Sequence, residues 1–292
     1  MKISVKENVS LFNLLEKEFP ASSHTTVRKM VKHGQIKVNG KVITRGDVIL
    51  QPGDEVEYIK SLRLPEPENT PYRVVFEDDS LLISEKPAGT LTIGYTKDQG
   101  ESSFYKEWLQ YIRDRSKGRE RIYIVHRLDK EVSGLVLFAK TPEIQKLLKD
   151  NWHMNTKLYY ALVEGKPAKA MGKVISYLFE GPKEKMFSSQ DPEKGKQAIT
   201  QYRIMKELPG VTLLEVRLET GRKNQIRVHM ADIGCPIVGD RRYGAKDKFS
   251  RRIRLHACQL SFVHPVTGEQ MEFRSSMPKG FTTLKEADEK YK

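Results

Sequence analysis

Cysteine is scarce: Cys235 and Cys258 are the only two among 292 residues. A secreted scaffold stapled by disulfides is not built this way, and a cytoplasmic chain with reduced thiols is expected. No run of about 18 apolar residues occurs, so no membrane-spanning helix is expected. The opening MKISVKENVSLFNLLEKEF places charges inside its apolar stretch and lacks a small-residue cleavage site, which does not read as a signal peptide. Neither a Walker P-loop nor a G-x-G-x-x-G is present, which disfavours nucleotide cofactors. C-x-x-C and H-E-x-x-H spacings are missing as well. His229, Cys235, His256 and Cys258 belong to separate segments, so no metal is expected, and the two cysteines read as small core residues. Long biased tracts and internal repeats are absent too, which argues against extensive disorder.

What the chain does have is positive charge. Lys and Arg number 51 against 38 Asp and Glu, a formal net charge of +13 with a pI near 9.5. A basic protein of this size commonly meets a polyanion, because neutralising phosphates releases counterions and steers association. A merely soluble basic protein is the reading that charge alone leaves open. The length exceeds a usual single domain and predicts a small and a large one.

Residues 1–60 read as the small domain. Leu11, Leu14 and Leu15 recur at helical spacing with Phe19 one turn on, and Pro20 closes the segment. Ser22 and Ser23 offer caps for a second helix with Val27, Met30 and Val31 on one side and Arg28, Lys29 and Lys32 on the other; Gly34 is its stop. Asn39-Gly40 between β-branched residues predicts a hairpin with a type I′ turn, and Pro52-Gly53-Asp54 a further turn. Residues 61–71, SLRLPEPENTP, read as a linker. Residues 72–292 form the large domain, with strands expected at Arg73–Phe76, Leu81–Ser84, Ile122–Arg127, Gly134–Ala139, Leu158–Val163, Ile199–Met205 and Val211–Leu218. Thr141-Pro142-Glu143 starts a helix that carries Ile144, Leu147 and Leu148 on one face. A second helix is expected over Asn224–Ile233, ending at Gly234. Many strands and few helices predict an α+β domain on a mixed, largely antiparallel sheet flanked by helices, preceded by a small α/β domain.

The most informative stretch runs from Ile124 to Ala139, IVHRLDKEVSGLVLFA, where two apolar strands flank a charged cluster. An aspartate beside an arginine is expected to be ionised, because the positive neighbour favours its charged form, and a fixed carboxylate serves as nucleophile or base. A turn aspartate with a surface arginine is the plainer reading of the same spacing.

The small domain, over residues 10–59, resembles the RNA-binding domain named after ribosomal protein S-four. In that family the second helix and hairpin present basic residues to structured RNA, which implies RNA contacts for Arg28, Lys29, Lys32 and Lys37. The large domain, over about residues 72–278, resembles the RluA-type pseudouridine synthases through five ordered motifs. These are KPAG at Lys86–Gly89, HRLD…SGLVLFAK from His126, KLYYALV from Lys157, TGRKNQIRVH from Thr220, and LHA…LSF…HP from Leu255. The resemblance implies an isomerase that detaches uracil from ribose, rotates it and rejoins it through carbon five, without cofactor. It implies Asp129 as the catalytic carboxylate, Arg222 as the arginine paired with it, and Tyr159 packed against the target base. It further implies Ile226 lining the pocket, Arg127 filling the gap left by an everted nucleotide, and Gln225, Asn224 and Lys157 at the substrate.

Two positions depart from the family. Asn224 stands for a usual histidine and cannot titrate, and Val132 for a usual threonine, losing a hydroxyl. The dense basic run with Arg241, Arg242, Arg251 and Arg252 is expected to grip RNA phosphates. Ribosomal RNA is the favoured partner and transfer RNA the alternative; the family default is a monomer off the membrane. The competing classes are a non-catalytic RNA-binding or ribosome-assembly factor and, more weakly, a carboxylate-dependent glycosidase or nuclease.

Overall fold

The computed structural model describes residues 2–20, 24–32, 36–43, 48–58, 70–94, 102–246, 250 and 252–282, without the side chains of Thr25, Thr26, Lys29, Lys32 and Val42. The chain divides into two compact units, Met1–Asn69 and Thr70–Lys292. Nearly all of the expected linker, and Ser22, Ser23, Gly34 and Arg251, lie outside the described residues.

In the first unit, helices α1 (Leu11–Glu18) and α2 (His24–Lys32) accompany strands β1 (Lys2–Ser4), β2 (Val9–Ser10), β3 (Ile36–Val38), β4 (Lys41–Ile43), β5 (Ile49–Leu50) and β6 (Glu55–Tyr58). Ser10 caps α1 through its side chain, which accepts from the Asn13 amide. Leu11, Leu15, Val27 and Val31 are fully buried, so the helical spacing read from the sequence is the core-facing stripe. Asn39 and Gly40 both take positive φ, 51° and 79°, as the β3–β4 turn requires. The two predicted turns are bolted together: Asn39 donates to Asp54 Oδ1 at 2.7 Å and accepts from the Glu55 amide at 2.9 Å.

The second unit is built on one large sheet of β7 (Val74–Glu77), β8 (Leu81–Lys86), β9 (Tyr123–Ile124), β10 (Ser133–Ala139), β11 (Thr156–Glu164), β12 (Met171–Glu180), β13 (Met186–Ser189), β14 (Lys196–Leu208), β15 (Val211–Leu218), β16 (Leu255–Val263) and β17 (Gln270–Arg274). The order is β13-β12-β14-β15-β11-β16-β10-β8-β7, with β17 on β16 and β9 on β10. All the pairings described are antiparallel except β10 with β16, so the sheet is mixed and largely antiparallel. Helices α3 (Phe104–Arg115) and α5 (Gln225–Asp232) bury side chains in one core, and α4 (Pro142–Asp150) in another. In β8, Leu82 goes to the first core, and Leu81 and Ile83 to the second. A strand covered on both faces reads as an unbroken apolar run, which explains LLIS and GLVLFA.

Several expectations change. The run Ile122–Arg127 is a strand only at Tyr123–Ile124, because the charged cluster leaves the sheet to enter a pocket. Leu147 on α4 is 48% exposed, whereas Leu148 is buried; only the latter joins the core. Strands β12, β13, β16 and β17 and helix α3 add to the elements expected from the sequence. Ser103 caps α3, and Phe104, Trp108 and Ile112 fall on its buried side.

The parallel contact depends on Gly134, whose φ is +123°. A Cβ there would lie 2.3 Å from the Ala257 carbonyl oxygen. Backbone on both sides leaves nowhere to move, so Gly134→Ala is expected to cost more than about 2 kcal/mol of stability. A urea-unfolding midpoint unchanged from wild type would contradict this.

Candidate active site

The segment between β9 and β10 carries His126, Arg127, Leu128 and Asp129 into a cavity of about 380 Å³, within the ordinary range for small-ligand pockets. Its shape is fixed by backbone contacts from the KPAG region. The Thr92 hydroxyl donates to the Leu128 carbonyl at 2.6 Å and accepts from the Leu128 amide at 3.1 Å. Lys86, 1% exposed, gives its ammonium to the carbonyls of Pro87, Thr90 and Lys130 at 2.9, 2.7 and 3.2 Å. Burial pulls the Lys86 pKa down to about 8, against the opposing charges of Asp129 and Glu131. Lys86 and Thr92 thus hold the residues on either side of Asp129, a task the sequence did not assign to them.

The expected pairing of Asp129 with Arg222 is corrected: Arg227 takes that place. Arg227 Nη1 donates to Asp129 Oδ2 at 3.3 Å, and its Nε and Nη2 form a two-pronged pair with Asp240 at 2.6 and 3.0 Å. Arg222 lines the same pocket but is exposed, and its Nε donates to the Gln197 carbonyl at 3.0 Å. The helix explains the exchange. Arg222 precedes α5 and lies at the rim, whereas Arg227 sits in its first turn, three residues from Asn224 and so on the same helical side.

Asn224 stands between Asp129 and Tyr243. With its nitrogen toward the carboxylate, it donates to Oδ2 at 2.7 Å and Oδ1 at 3.3 Å while its oxygen accepts from the Tyr243 hydroxyl at 2.9 Å. That orientation holds because a carboxylate only accepts, and an amide oxygen facing it would set acceptor against acceptor. The Met186 amide donates to the Tyr243 hydroxyl at 3.1 Å, and the Arg227 guanidinium lies 5.1 Å from the Tyr243 ring centre. Asn224 adopts left-handed backbone, φ 55°, which asparagine tolerates better than most residues. The departure from histidine thus leaves a fixed donor that does not titrate. Val132, the other departure, is buried in the core.

Burial pushes the Asp129 carboxyl above the ordinary carboxylate range, while the Arg227 charge and hydrogen bond pull the other way. Its side chain is 25% exposed, enough to be reached from the cavity. The walls are flat or aliphatic: Tyr159, Leu218, Ile226 and Leu255. Burial first, then the Asp129 charge, pushes the Tyr159 hydroxyl well above its usual range, so it stays protonated. Ile226 is 4% exposed, at the pocket wall. Arg127 is exposed at the rim. Gln225 is a correction: its amide donates to the Ile199 carbonyl and Thr200 hydroxyl and accepts from Thr220 and the Arg222 amide. All four of its hydrogen-bonding positions are spent on the loop, so none is left for a substrate.

Of the residues expected to grip RNA, Arg28 is exposed 5.8 Å from the Phe12 ring, and Lys37 is half-buried on β3. Arg241 and Arg242 are exposed, the latter donating to the Lys183 carbonyl. Arg252 lines a separate hollow with Lys86 and His256 and does not face the catalytic pocket. The side chains of Lys29 and Lys32, and Arg251 entirely, are outside the described residues. His229 bonds to Ser176 and Thr200, and His256 to Ser133 and Ser275. Among the described residues no group of three His, Cys, Asp or Glu side chains could hold a metal.

Those histidines make stability depend on pH. Burial holds His229 and His256 at about 4, and burial with the Lys157 charge holds His126 at about 3, all below 6.5. From 6.5 downward the unfolded chain takes up protons that the fold refuses. Each histidine therefore subtracts up to ~1.4 kcal/mol per pH unit until its folded pKa is reached. The urea midpoint is expected to fall on going from about pH 7 to pH 5, and His229→Gln to flatten that fall.

Comparison with known proteins fits this geometry. The family model for RNA pseudouridylate synthase matches residues 80–232, and that for the S4 domain matches residues 9–56. An uncharacterized RNA pseudouridine synthase of Aquifex aeolicus is 33% identical over 95% of this chain and 93% of its own. Ribosomal large subunit pseudouridine synthase D of Pasteurella multocida is 34% identical over 92% and 88%. Among solved structures, human RNA pseudouridylate synthase domain containing 4 superposes with a TM-score of 0.59 at 24% identity, covering 71% of this chain and 89% of that one, a likeness of fold. With its carboxylate pocket inside the matched segment and relatives similar over nearly their whole length, the chain belongs to the RNA pseudouridylate synthase family and carries an S4 domain at its N-terminal end.

Proposed function

We propose that the protein isomerises particular uridines of large-subunit ribosomal RNA in the cytoplasm, as a monomer, with Asp129 as its catalytic carboxylate. The observation that carries this reading is the Asp129 carboxylate itself, clamped by Arg227 and Asn224 at the edge of a cavity with flat apolar walls. A base stacked within RNA must leave its helix to reach such a carboxylate. Tyr159 on one side and Ile226 on the other offset part of the unstacking cost of a few kcal/mol. Arg127, at the rim, fills the place the base vacates, and Arg222 meets the backbone beside it. Large-subunit RNA is favoured over transfer RNA by the names of relatives such as the Pasteurella multocida protein. The S4 domain and the net charge of +13 agree with a large structured RNA.

Pseudouridine mapping of total RNA from cells with and without the protein tests the reading. One or a few ribosomal sites are expected to vanish without it and to return when purified protein is added to the unmodified RNA. Loss confined to transfer RNA would move the substrate, and no lost site would sink the proposal.

A further inference from the structure

The catalytic pocket is lined not only by Asp129 and Tyr159 but also by His126, Trp152 and Lys157. Lys157 precedes Tyr159 by two positions on β11, so both side chains leave the strand on one face with their Cα atoms about 6.6 Å apart. Lys157 is 7% exposed. Its Nζ donates to the Trp152 carbonyl at 3.1 Å and stands 5.5 Å from the Trp152 ring centre. One carbonyl uses one of three N–H groups, and among the described residues no carboxylate pairs with this ammonium.

The buried cations next to Asp129 are answered. Arg227 faces Asp129 and Asp240, and Lys86 has three carbonyls and the charges of Asp129 and Glu131. A buried charge left unanswered is costly. Lys157 carries that cost inside a cavity that opens on the substrate side, where an incoming anion would relieve it.

The surroundings select the kind of anion. His126 Nε2 accepts from the Leu137 amide at 3.1 Å, which leaves the ring proton on Nδ1, and the ring stacks on Trp152 at 4.5 Å. Burial and the Lys157 charge keep that ring neutral. The His126 Nδ1–H and the two remaining Lys157 N–H groups are donors. The edge of a nucleobase carries donors and acceptors together, whereas a phosphodiester only accepts and is charged. We propose that the part of the pocket lined by Lys157 is a phosphate subsite, in which Lys157 binds a phosphodiester next to the everted uridine while Tyr159 packs on the uridine base. The assignment rests on the proposed function, in which such a uridine enters the pocket.

The test uses a ribosomal RNA fragment containing the mapped uridine, in which single methylphosphonate linkages, which are uncharged, replace the phosphates on either side. Affinity is measured over a series of salt concentrations, and pseudouridine is read on the same RNA. One neutral linkage is expected to weaken wild-type binding about 10- to 100-fold. Lys157→Met should weaken binding of the natural RNA by a similar factor, lower the salt slope by about one, and lose all sensitivity to that linkage. Lys157→Arg should regain most of the affinity. If Lys157 merely anchors the Trp152 carbonyl, Lys157→Met lowers the thermal midpoint yet keeps the wild-type salt slope and linkage sensitivity, and the subsite is refuted. Wild-type protein that forms pseudouridine but ignores every neutral linkage refutes the subsite alone; wild-type protein that forms none refutes both readings.

Discussion

Asp129→Asn is expected to reduce pseudouridine formation by more than about 10³-fold while leaving the protein at least as stable as wild type. The two outcomes share one cause. Burial pushes the Asp129 carboxyl up, which means that the fold bears a cost to keep a charge there. An amide of the same shape removes that cost, and Arg227 still has its two-pronged partner in Asp240. Loss of activity with an unchanged or raised thermal midpoint is therefore the pattern of a functional charge held against the preference of the fold. The pair of measurements is a pseudouridine assay on the mapped RNA and a melting curve. Activity within tenfold of wild type would remove Asp129 from its assigned place.

Arg227→Met is expected to do the reverse for stability, costing about 3–5 kcal/mol, because it strands Asp240, whose side chain is 1% exposed, and leaves Asp129 without its cation. Arg222→Met, at the exposed rim, should cost less than about 1 kcal/mol. Denaturant unfolding of the two variants side by side decides which arginine answers the buried carboxylates. Equal or reversed losses would return that task to Arg222.

The exchange of these two arginines marks where sequence reading stops. Both lie in one motif, TGRKNQIRVH, and nothing in their order says which one turns inward. The start of α5 decides it: a residue ahead of the first turn points along the rim, and one inside the turn shares a side with Asn224. The three-residue spacing of Asn224 and Arg227, with Asp240 in the Gly-Asp pair downstream, is the clue the sequence holds. Gln225 misleads for a related reason, since a polar residue in a substrate motif looks available until its four bonds are counted. Other parts are legible because the chemistry is local. Asn39-Gly40 specifies its turn, and Thr141-Pro142 its helix start. Strands β12 and β13 are hard to see in the sequence because their outer positions, such as Met171, Ile175 and Phe187, are exposed apolar residues that blur the alternation. The short extent of β9 is hidden too, because the apolar run Ile122–Val125 reads as a longer strand although only Tyr123–Ile124 pair in the sheet.

The parallel contact of β10 with β16 has a consequence for biosynthesis. It joins Gly134 to Ala257, and the pocket wall includes Leu255, 126 positions after Asp129. At a synthesis rate of about 5–20 residues per second, roughly 6–25 s pass between the appearance of the carboxylate and that of its last wall. Throughout that interval the emerging polypeptide already has its complete N-terminal unit but no finished reaction chamber. The nascent enzyme can therefore meet RNA well before it is able to alter it.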